Sequence, residues 1–196
     1  MSCSDELAET MIPSYDSFML TREKYLKKIR PYYQSNQIKV LSGVRRCGKS
    51  TLMTQIIKEI SATVDPAHII FINLEDYEYA SYLGEPLLFH EMVKKRAAGK
   101  GTYYIFLDEI QNLKDFQRVI ASLKATIDCS LFVTGSNSRL LSGELATYLT
   151  GRTIDFLIMP FSFAVFLIIS AFPVKRMSTF SSSTAFVAPF KISSGA

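Results

Sequence analysis

The sequence predicts a three-layer α/β domain, in which helices cover both faces of a parallel β-sheet. Short apolar segments alternate along the chain with segments whose apolar residues repeat at helical spacing, and this alternation is typical of a parallel sheet. A glycine-rich turn lies between the first predicted strand and the helix that follows it. The chain of 196 residues, with 48% hydrophobic and 20% charged residues, has the length and composition of one globular domain.

Five strands and four helices are predicted. Each strand is a short apolar run rich in β-branched or aromatic residues, which indicates a strand covered on both faces. The strands are predicted at residues 38–41, 68–74, 103–107, 131–134 and 153–158. A short amphipathic helix is predicted just before Pro31, and three longer helices are predicted at residues 50–60, 86–98 and 116–127.

Composition divides the chain into three segments. We predict a leader at residues 1–21, the folded domain at residues 22–160, and an atypical hydrophobic tail rich in Ser and Phe at residues 161–196. Of the net charge of +4, residues 1–155 contribute only +1, from 19 Lys and Arg against 18 acids. Because the basic excess lies mostly in the tail, the charge does not indicate a nucleic-acid-binding face on the domain.

The cysteines and the first residues predict a cytoplasmic protein. Cys3, Cys47 and Cys129 show no spacing typical of a disulfide framework or a zinc site, which favours a reducing compartment. The first twenty residues contain four acids and no Lys or Arg, unlike a signal peptide. Residues 156–174 are nearly continuous apolar sequence of about the length that a bilayer requires. However, residues 153–158 are needed as the fifth strand, and Pro160, Ser162 and Ser170 interrupt the remainder, so we expect no membrane segment.

The glycine-rich turn matches the pattern G-x-x-x-x-G-K-[ST]. In a turn of this kind the backbone N–H groups face phosphates, and the following helix adds the positive end of its dipole. Lys49 is expected to reach the β- and γ-phosphates, and the Ser50 hydroxyl to ligate Mg²⁺. The sequence therefore predicts a site for ATP and Mg²⁺, against the alternative of a turn that binds nothing. The predicted binding residues are Gly43, Val44, Arg45, Arg46, Cys47, Gly48, Lys49, Ser50 and Thr51.

Two adjacent acids follow the third predicted strand. Asp108 and Glu109 come directly after the apolar run 103–107, as in a Walker B segment, at the strand end where open parallel sheets bind ligands. Asp108 is predicted to hold Mg²⁺, and Glu109 to act as the general base that activates water. A water-activating acid favours ATP hydrolysis over phosphoryl transfer to a small molecule. The alternative for this pair is a solvated strand end.

Three further residues are candidates for contact with the triphosphate. Ser136 and Asn137 follow the fourth strand, where their side chains could sense this phosphate, although a plain Gly/Ser/Asn turn fits the same residues. Arg152 precedes the fifth strand and could reach the triphosphate of a neighbouring subunit, although its spacing alone favours a solvated arginine.

Together these residues resemble the bacterial and archaeal AAA+-type ATPases, in which an N-terminal AAA domain precedes a C-terminal domain of unknown function. The resemblance covers residues from about 22 to 163. It also rests on the segments INLED (72–76), FLDEIQ (106–111), TGSNS (134–138), SGEL (142–145) and TGRT (150–153).

The resemblance implies a P-loop NTPase fold with a parallel sheet of order 5-1-4-3-2. It also implies an ATPase site, a sensor at Ser136 or Asn137, and an arginine finger at Arg152, which as a finger in trans would require a homo-oligomer. A cytoplasmic location and an unidentified client protein follow from the same resemblance. Family members continue with a second domain, whereas here an apolar run replaces charged positions after Phe163. This departure predicts a chain truncated or frameshifted after about residue 163.

Two other functions stay open at this point. One is a truncated nucleotide-binding remnant without effective turnover, because the second domain of the family is missing from the sequence. The other is a DNA-associated AAA+ motor or loader, which the near-neutral charge of residues 1–155 does not favour.

Overall fold

A five-stranded parallel sheet forms the centre of the folded domain. The structure is a computed structural model that describes residues 20–135 and 151–161. The strands are β1 (Ile38–Ser42), β2 (Ile69–Asn73), β3 (Tyr103–Asp108), β4 (Cys129–Thr134) and β5 (Thr153–Leu157). They are ordered β2-β3-β4-β1-β5 across the sheet, which confirms the predicted order 5-1-4-3-2 read in the opposite direction.

Helices cover both faces of this sheet, as predicted. They are α1 (Glu23–Ile29), α2 (Lys49–Ser61), α3 (Pro86–Arg96) and α4 (Phe116–Thr126). Four 3-10 turns, at Arg30–Tyr32, Pro66–His68, Tyr77–Tyr82 and Ile110–Asn112, connect them to the strands. Among the described residues, no helix is long and apolar enough to cross a membrane.

The two faces are separated by the alternation of side chains along each strand. Val40 of β1 packs in a core with residues of α3 and α4 such as Phe89 and Ile120. Its neighbour Leu41 packs in the opposite core with residues of α1 and α2 such as Leu26 and Ile56. Since strands covered on both faces have no polar side, these segments read as continuous apolar runs.

Most predicted boundaries are within one or two residues of the observed ones. The second strand begins at Ile69 rather than at residue 68, because Pro66–His68 forms a 3-10 turn in which the Asp65 side chain accepts a hydrogen bond from Ala67 N at 2.9 Å. The fourth strand begins two residues earlier than predicted, at Cys129, which pairs with Tyr103. Most of the predicted leader (residues 1–19 of 1–21) and most of the predicted tail (residues 162–196 of 161–196) lie outside the described residues.

The strand register brings the carboxyl-terminal ends of several strands together, and the side of the sheet that these ends form is the edge meant below. Leu41 pairs with Thr134, and Ser42 pairs with Leu157. Leu107 pairs with Val133, so Asp108 lies one step further along, beside Thr134. The chain segments that leave β1, β3, β4 and β5 therefore start from the same edge.

Candidate functional site

The segment between β1 and α2 (residues 43–48, called here the glycine-rich loop) has an unusual backbone. Gly43, Arg46 and Gly48 have φ values of +152°, +64° and +90°. A Cβ atom added at Gly43 would lie 2.3 Å from the carbonyl oxygen of Ile158, so this position accommodates only glycine. The backbone of the loop therefore requires both glycines of the predicted pattern, whatever their part in ligand binding.

Lys49 is the first residue of α2, and its side chain folds back over the glycine-rich loop. Its Nζ donates hydrogen bonds to the carbonyl oxygens of Gly43 and Val44, both at 3.2 Å, and the residue is only 4% exposed. Gly48 occupies the N-cap and offers no side-chain acceptor to the first turn. A positively charged group and the N–H groups of a helix N-terminus therefore lie side by side.

The other predicted residues of this segment divide into two groups. One group is exposed, and these residues mark the open side of the glycine-rich loop, called here its mouth: Val44, Arg45, Arg46, Ser50 and Thr51. Cys47 is buried in the core formed with α1 and α2, at 3% exposure. A ligand in the mouth could contact Cys47 only through its backbone.

Asp108 ends β3 and is 2% exposed. The hydroxyl of Thr134, at the end of the neighbouring strand β4, donates a hydrogen bond to Asp108 Oδ1. The same hydroxyl oxygen accepts a hydrogen bond of 3.1 Å from the backbone N–H of Glu109. Thr134 thus orients both predicted acids. The sequence did not identify this role. The signal that could have revealed it is the strand register, which places Thr134 directly opposite Asp108.

Glu109 adopts a left-handed conformation, with φ of +53°, and is partly exposed. Its carboxylate Oε2 accepts a hydrogen bond of 2.5 Å from Gln111 Nε2. The turn therefore carries the acid out of the line of β3 and holds it beside the strand end.

The glycine-rich loop and the two acids lie on neighbouring parts of one edge. β4 separates β1 from β3, and two strand spacings are about 10 Å. A group of the size of a triphosphate can bridge this distance. Among residues 20–135 and 151–161, no three His, Cys, Asp or Glu side chains are grouped to hold a metal ion by themselves.

Arg152 lies at the opposite edge of the sheet, which is formed by the amino-terminal ends of the strands. It is exposed, it precedes β5, and its carbonyl oxygen accepts a hydrogen bond of 2.8 Å from Ile38 N at the start of β1. The length of β1, about 13 Å for four residue steps, separates this point from the glycine-rich loop. The structure therefore does not bring Arg152 to the loop of its own chain, and its predicted role at a neighbouring subunit stays a prediction. Ser136 and Asn137 lie outside the described residues.

A buried lysine lies away from the candidate site. Lys39 of β1 is fully buried, and its Nζ donates hydrogen bonds of 2.7 Å to the Ser35 carbonyl oxygen and to Ser130 Oγ. Burial and, secondarily, the positive charge of Lys124 lower the pKa of Lys39 to about 7. Since it lies near the amino end of β1, it is too far from the glycine-rich loop to contact a ligand there.

The chain is similar in sequence to two proteins that are themselves uncharacterized. An uncharacterized protein of Haemophilus influenzae (strain Rd) is 35% identical over 151 residues, which are 76% of this chain and 38% of that protein. Uncharacterized protein MJ1544 of Methanocaldococcus jannaschii is 36% identical over 141 residues, which are 72% of this chain and 30% of that protein. The chain therefore spans well under half of the length of either relative.

The fold is also similar to that of a solved structure, C. elegans PCH-2. The TM-score is 0.54 and the identity is 13%, over 76% of this chain and 46% of that one. At this identity the similarity shows the fold alone. The family model AAA_14, described as AAA domain, matches residues 35–167, which is more than half of the chain. The chain belongs to this family of AAA domains and has the fold of the P-loop NTPases.

Proposed function

We propose that the chain binds ATP with Mg²⁺ at residues 43–51 and hydrolyses it to ADP and phosphate. The observation that carries the proposal is the buried ammonium group of Lys49, which lies across a left-handed loop at the N-terminus of α2. Phosphate groups are favoured at such a position, because backbone N–H groups, the helix dipole and a lysine all act on the same anion.

The residues fit a nucleotide with its metal ion. No side chain caps the first turn of α2, so its N–H groups are not engaged by an N-cap residue. Mg²⁺ in nucleotide sites takes one or two oxygen ligands from the protein and the others from phosphates and water. Ser50, which is exposed at the mouth, and Asp108, which lies at the same edge of the sheet, supply this chemistry.

The bound metal ion would neutralise charge that develops on the phosphates. In this scheme Lys49 leaves the carbonyl groups of Gly43 and Val44 to bind phosphate oxygens. Asp108, oriented by Thr134, supports the metal ion, and Glu109 accepts a proton from the attacking water. The roles of Ser136 or Asn137 as γ-phosphate sensors and of Arg152 as a finger belong to the same proposal.

The test is magnesium-dependent ATP hydrolysis by the purified chain, with ATP binding measured in parallel. Lys49→Ala is expected to abolish binding, whereas Thr54→Ala, a change on the exposed side of the same helix, is the matched control and should bind normally. Turnover that is equal in Lys49→Ala and the wild type would refute the proposal.

A second candidate function is nucleotide binding without turnover by the isolated chain. The position of Arg152 favours it, because an arginine at the opposite edge of the sheet can complete only the site of a neighbour. Binding of ATP that is unaccompanied by hydrolysis, even at high protein concentration, would favour this candidate over the first.

The partners in this proposal are ATP, a second copy of the chain and an unidentified client protein, in the cytoplasm. A DNA-associated motor or loader is the remaining candidate. Salt-sensitive binding of DNA by the chain would support it, since phosphate contacts by Lys and Arg weaken steeply with ionic strength.

A further inference from the structure

Arg22 is a buried arginine that contacts the glycine-rich loop from behind. The residue is 6% exposed and precedes α1. Its Nη1 donates a hydrogen bond to the carbonyl oxygen of Cys47, and its Nη2 donates one to the carbonyl oxygen of Met159. One guanidinium group thus joins the loop to the segment that follows β5.

The glycine-rich loop packs closely against Arg22 and against the segment that follows β5. A Cβ atom added at Gly48 would lie 2.9 Å from Arg22 Nη1, so glycine at this position lets the guanidinium approach. At the other end of the loop, Gly43 lies against the Ile158 carbonyl group, and Ile158 N donates a hydrogen bond of 2.7 Å to the Ser42 oxygen. The loop is therefore supported at both of its glycines.

Other side chains fix the position of Arg22 itself. Its backbone N–H donates to Gln55 Oε1 at 3.0 Å, and Gln55 Nε2 donates to the Leu20 carbonyl oxygen at 2.9 Å. The guanidinium lies 4.7 Å from the centre of the Tyr25 ring, whose hydroxyl oxygen accepts a hydrogen bond from Met159 N. Since Gln55 is on α2, the helix that follows the loop also holds the residue that supports the loop.

The hydrogen bond to Cys47 has a consequence on the other side of the same peptide unit. All described peptide bonds are trans, so the carbonyl group of Cys47 and the N–H group of Gly48 point in opposite directions. Because Arg22 holds the Cys47 oxygen at the back of the loop, the Gly48 N–H points away from Arg22, towards the mouth. A donor in that position is available to an anion in the loop.

We infer that Arg22 is a positioning residue, which fixes the Cys47–Gly48 peptide so that the Gly48 N–H faces the mouth of the glycine-rich loop. The planar guanidinium carries several N–H donors in a fixed arrangement and can bridge two carbonyl groups at once. A lysine carries one nitrogen and cannot hold both in the same geometry. The benefit to phosphate binding rests on the proposed function, whereas the effect on the loop backbone does not.

The test measures amide hydrogen exchange at residues 43–49 together with the Kd for Mg-ATP. Arg22→Ala is expected to accelerate exchange there at least about 10-fold and to raise the Kd by a similar factor, and Arg22→Lys should lie between it and the wild type. Arg30→Ala is the matched control, because Arg30 is an exposed arginine that follows α1 and pairs with Glu23 and Glu59. Exchange at residues 43–49 that is no faster in Arg22→Ala than in Arg30→Ala would overturn the inference.

Two outcomes separate this inference from the proposed function. A wild-type chain that binds no ATP would refute the proposed function, while faster exchange at residues 43–49 in Arg22→Ala would still support the positioning role. If Arg22→Ala does not fold by circular dichroism, Arg22→Gln and Gln55→Leu are compared with Arg30→Ala in the same exchange measurement. Unchanged exchange at residues 43–49 in both variants would then overturn the inference.

Discussion

The hydroxyl group of Thr134 donates a hydrogen bond to the carboxyl group of Asp108, so the end of β4 orients the acid at the end of β3. The same oxygen accepts the backbone N–H of Glu109, and Thr134 is fully buried. One side chain therefore links both acids to the strand that separates them from the glycine-rich loop. If the proposed function is correct, this link matters for turnover as well as for stability.

Thr134→Val should reduce both turnover and stability. The variant keeps the shape of the side chain but leaves Asp108 Oδ1 and Glu109 N without this partner, which costs on the order of 1–3 kcal/mol for a buried group. We expect kcat for ATP hydrolysis to fall at least about 10-fold, because the acids are no longer held in place. Thr134→Ser keeps the hydroxyl group and should retain most of the activity. Equal kcat values for the Val and Ser variants would contradict the orienting role.

Glu109→Gln should separate binding from turnover. The amide cannot accept a proton from water, and loss of a general base lowers turnover by roughly 10²–10⁴-fold. Because the side chain is partly exposed and lies at a turn, the fold and the Kd for Mg-ATP should stay near the wild-type values. Single-turnover hydrolysis and equilibrium binding, measured on the same samples, check both parts. Hydrolysis at the wild-type rate would show that another group activates the water.

Gly43→Ala should destabilise the domain, whereas Gly84→Ala should not. The new methyl group at residue 43 would meet the Ile158 carbonyl oxygen at 2.3 Å, at a φ of +152°. We expect a loss of about 3 kcal/mol in the free energy of unfolding from strain and displacement of the loop. At Gly84 no atom lies within 4 Å of the added group, so the change should be below about 1 kcal/mol. Urea denaturation measures both, and similar losses in the two variants would contradict the close packing of the loop.

Lys39 makes stability rise with pH above neutrality. Its pKa is about 7 in the folded chain and about 10.4 in an unfolded one, so between these values the unfolded chain binds more protons. The free energy of unfolding therefore increases with pH in this window, by at most about 1.4 kcal/mol per pH unit from this group. Burial raises the pKa of the nearby Cys129 thiol, which acts in the opposite sense once thiols of the unfolded chain begin to ionise above about pH 8, so the measurement is confined to pH 7–8.

Lys39→Met is the variant that isolates this effect. It removes the titrating group but leaves an apolar side chain of similar length against Phe132. The difference in unfolding free energy between wild type and variant should change steadily from about pH 7 to about pH 8, with the variant losing the positive slope. Parallel pH profiles for the two chains would show that Lys39 is charged in the folded state throughout this window.

The sequence was sufficient for the elements of the fold but not for the contacts that tie them together. The three inner strands, β1, β3 and β4, were predictable because each is a mostly apolar run that is buried along its whole length. The edge strands β2 and β5 are partly exposed but are still rich in β-branched and aromatic residues, and Lys39 is the charged residue that interrupts β1. The position of Arg152 also follows from topology, since the start of β5 and the end of β1 lie at opposite edges of a parallel sheet. Arg22 and Thr134 act on residues distant in the chain, and no local pattern marks such residues.

Arg152 should act on the site of a second copy of the chain. Arg152 lies far from its own glycine-rich loop. If it acts as a finger in trans, Arg152→Ala removes a group from a neighbour's site and should lower turnover at least about 10-fold. Lys49→Ala lacks a functional loop but keeps Arg152. A mixture of these two variants should therefore be more active than either variant alone, because the Lys49→Ala chain supplies Arg152 to the intact site of its partner. Hydrolysis rates measured over a range of mixing ratios check this. No recovery in the mixture, or wild-type turnover by Arg152→Ala alone, would contradict a role in trans.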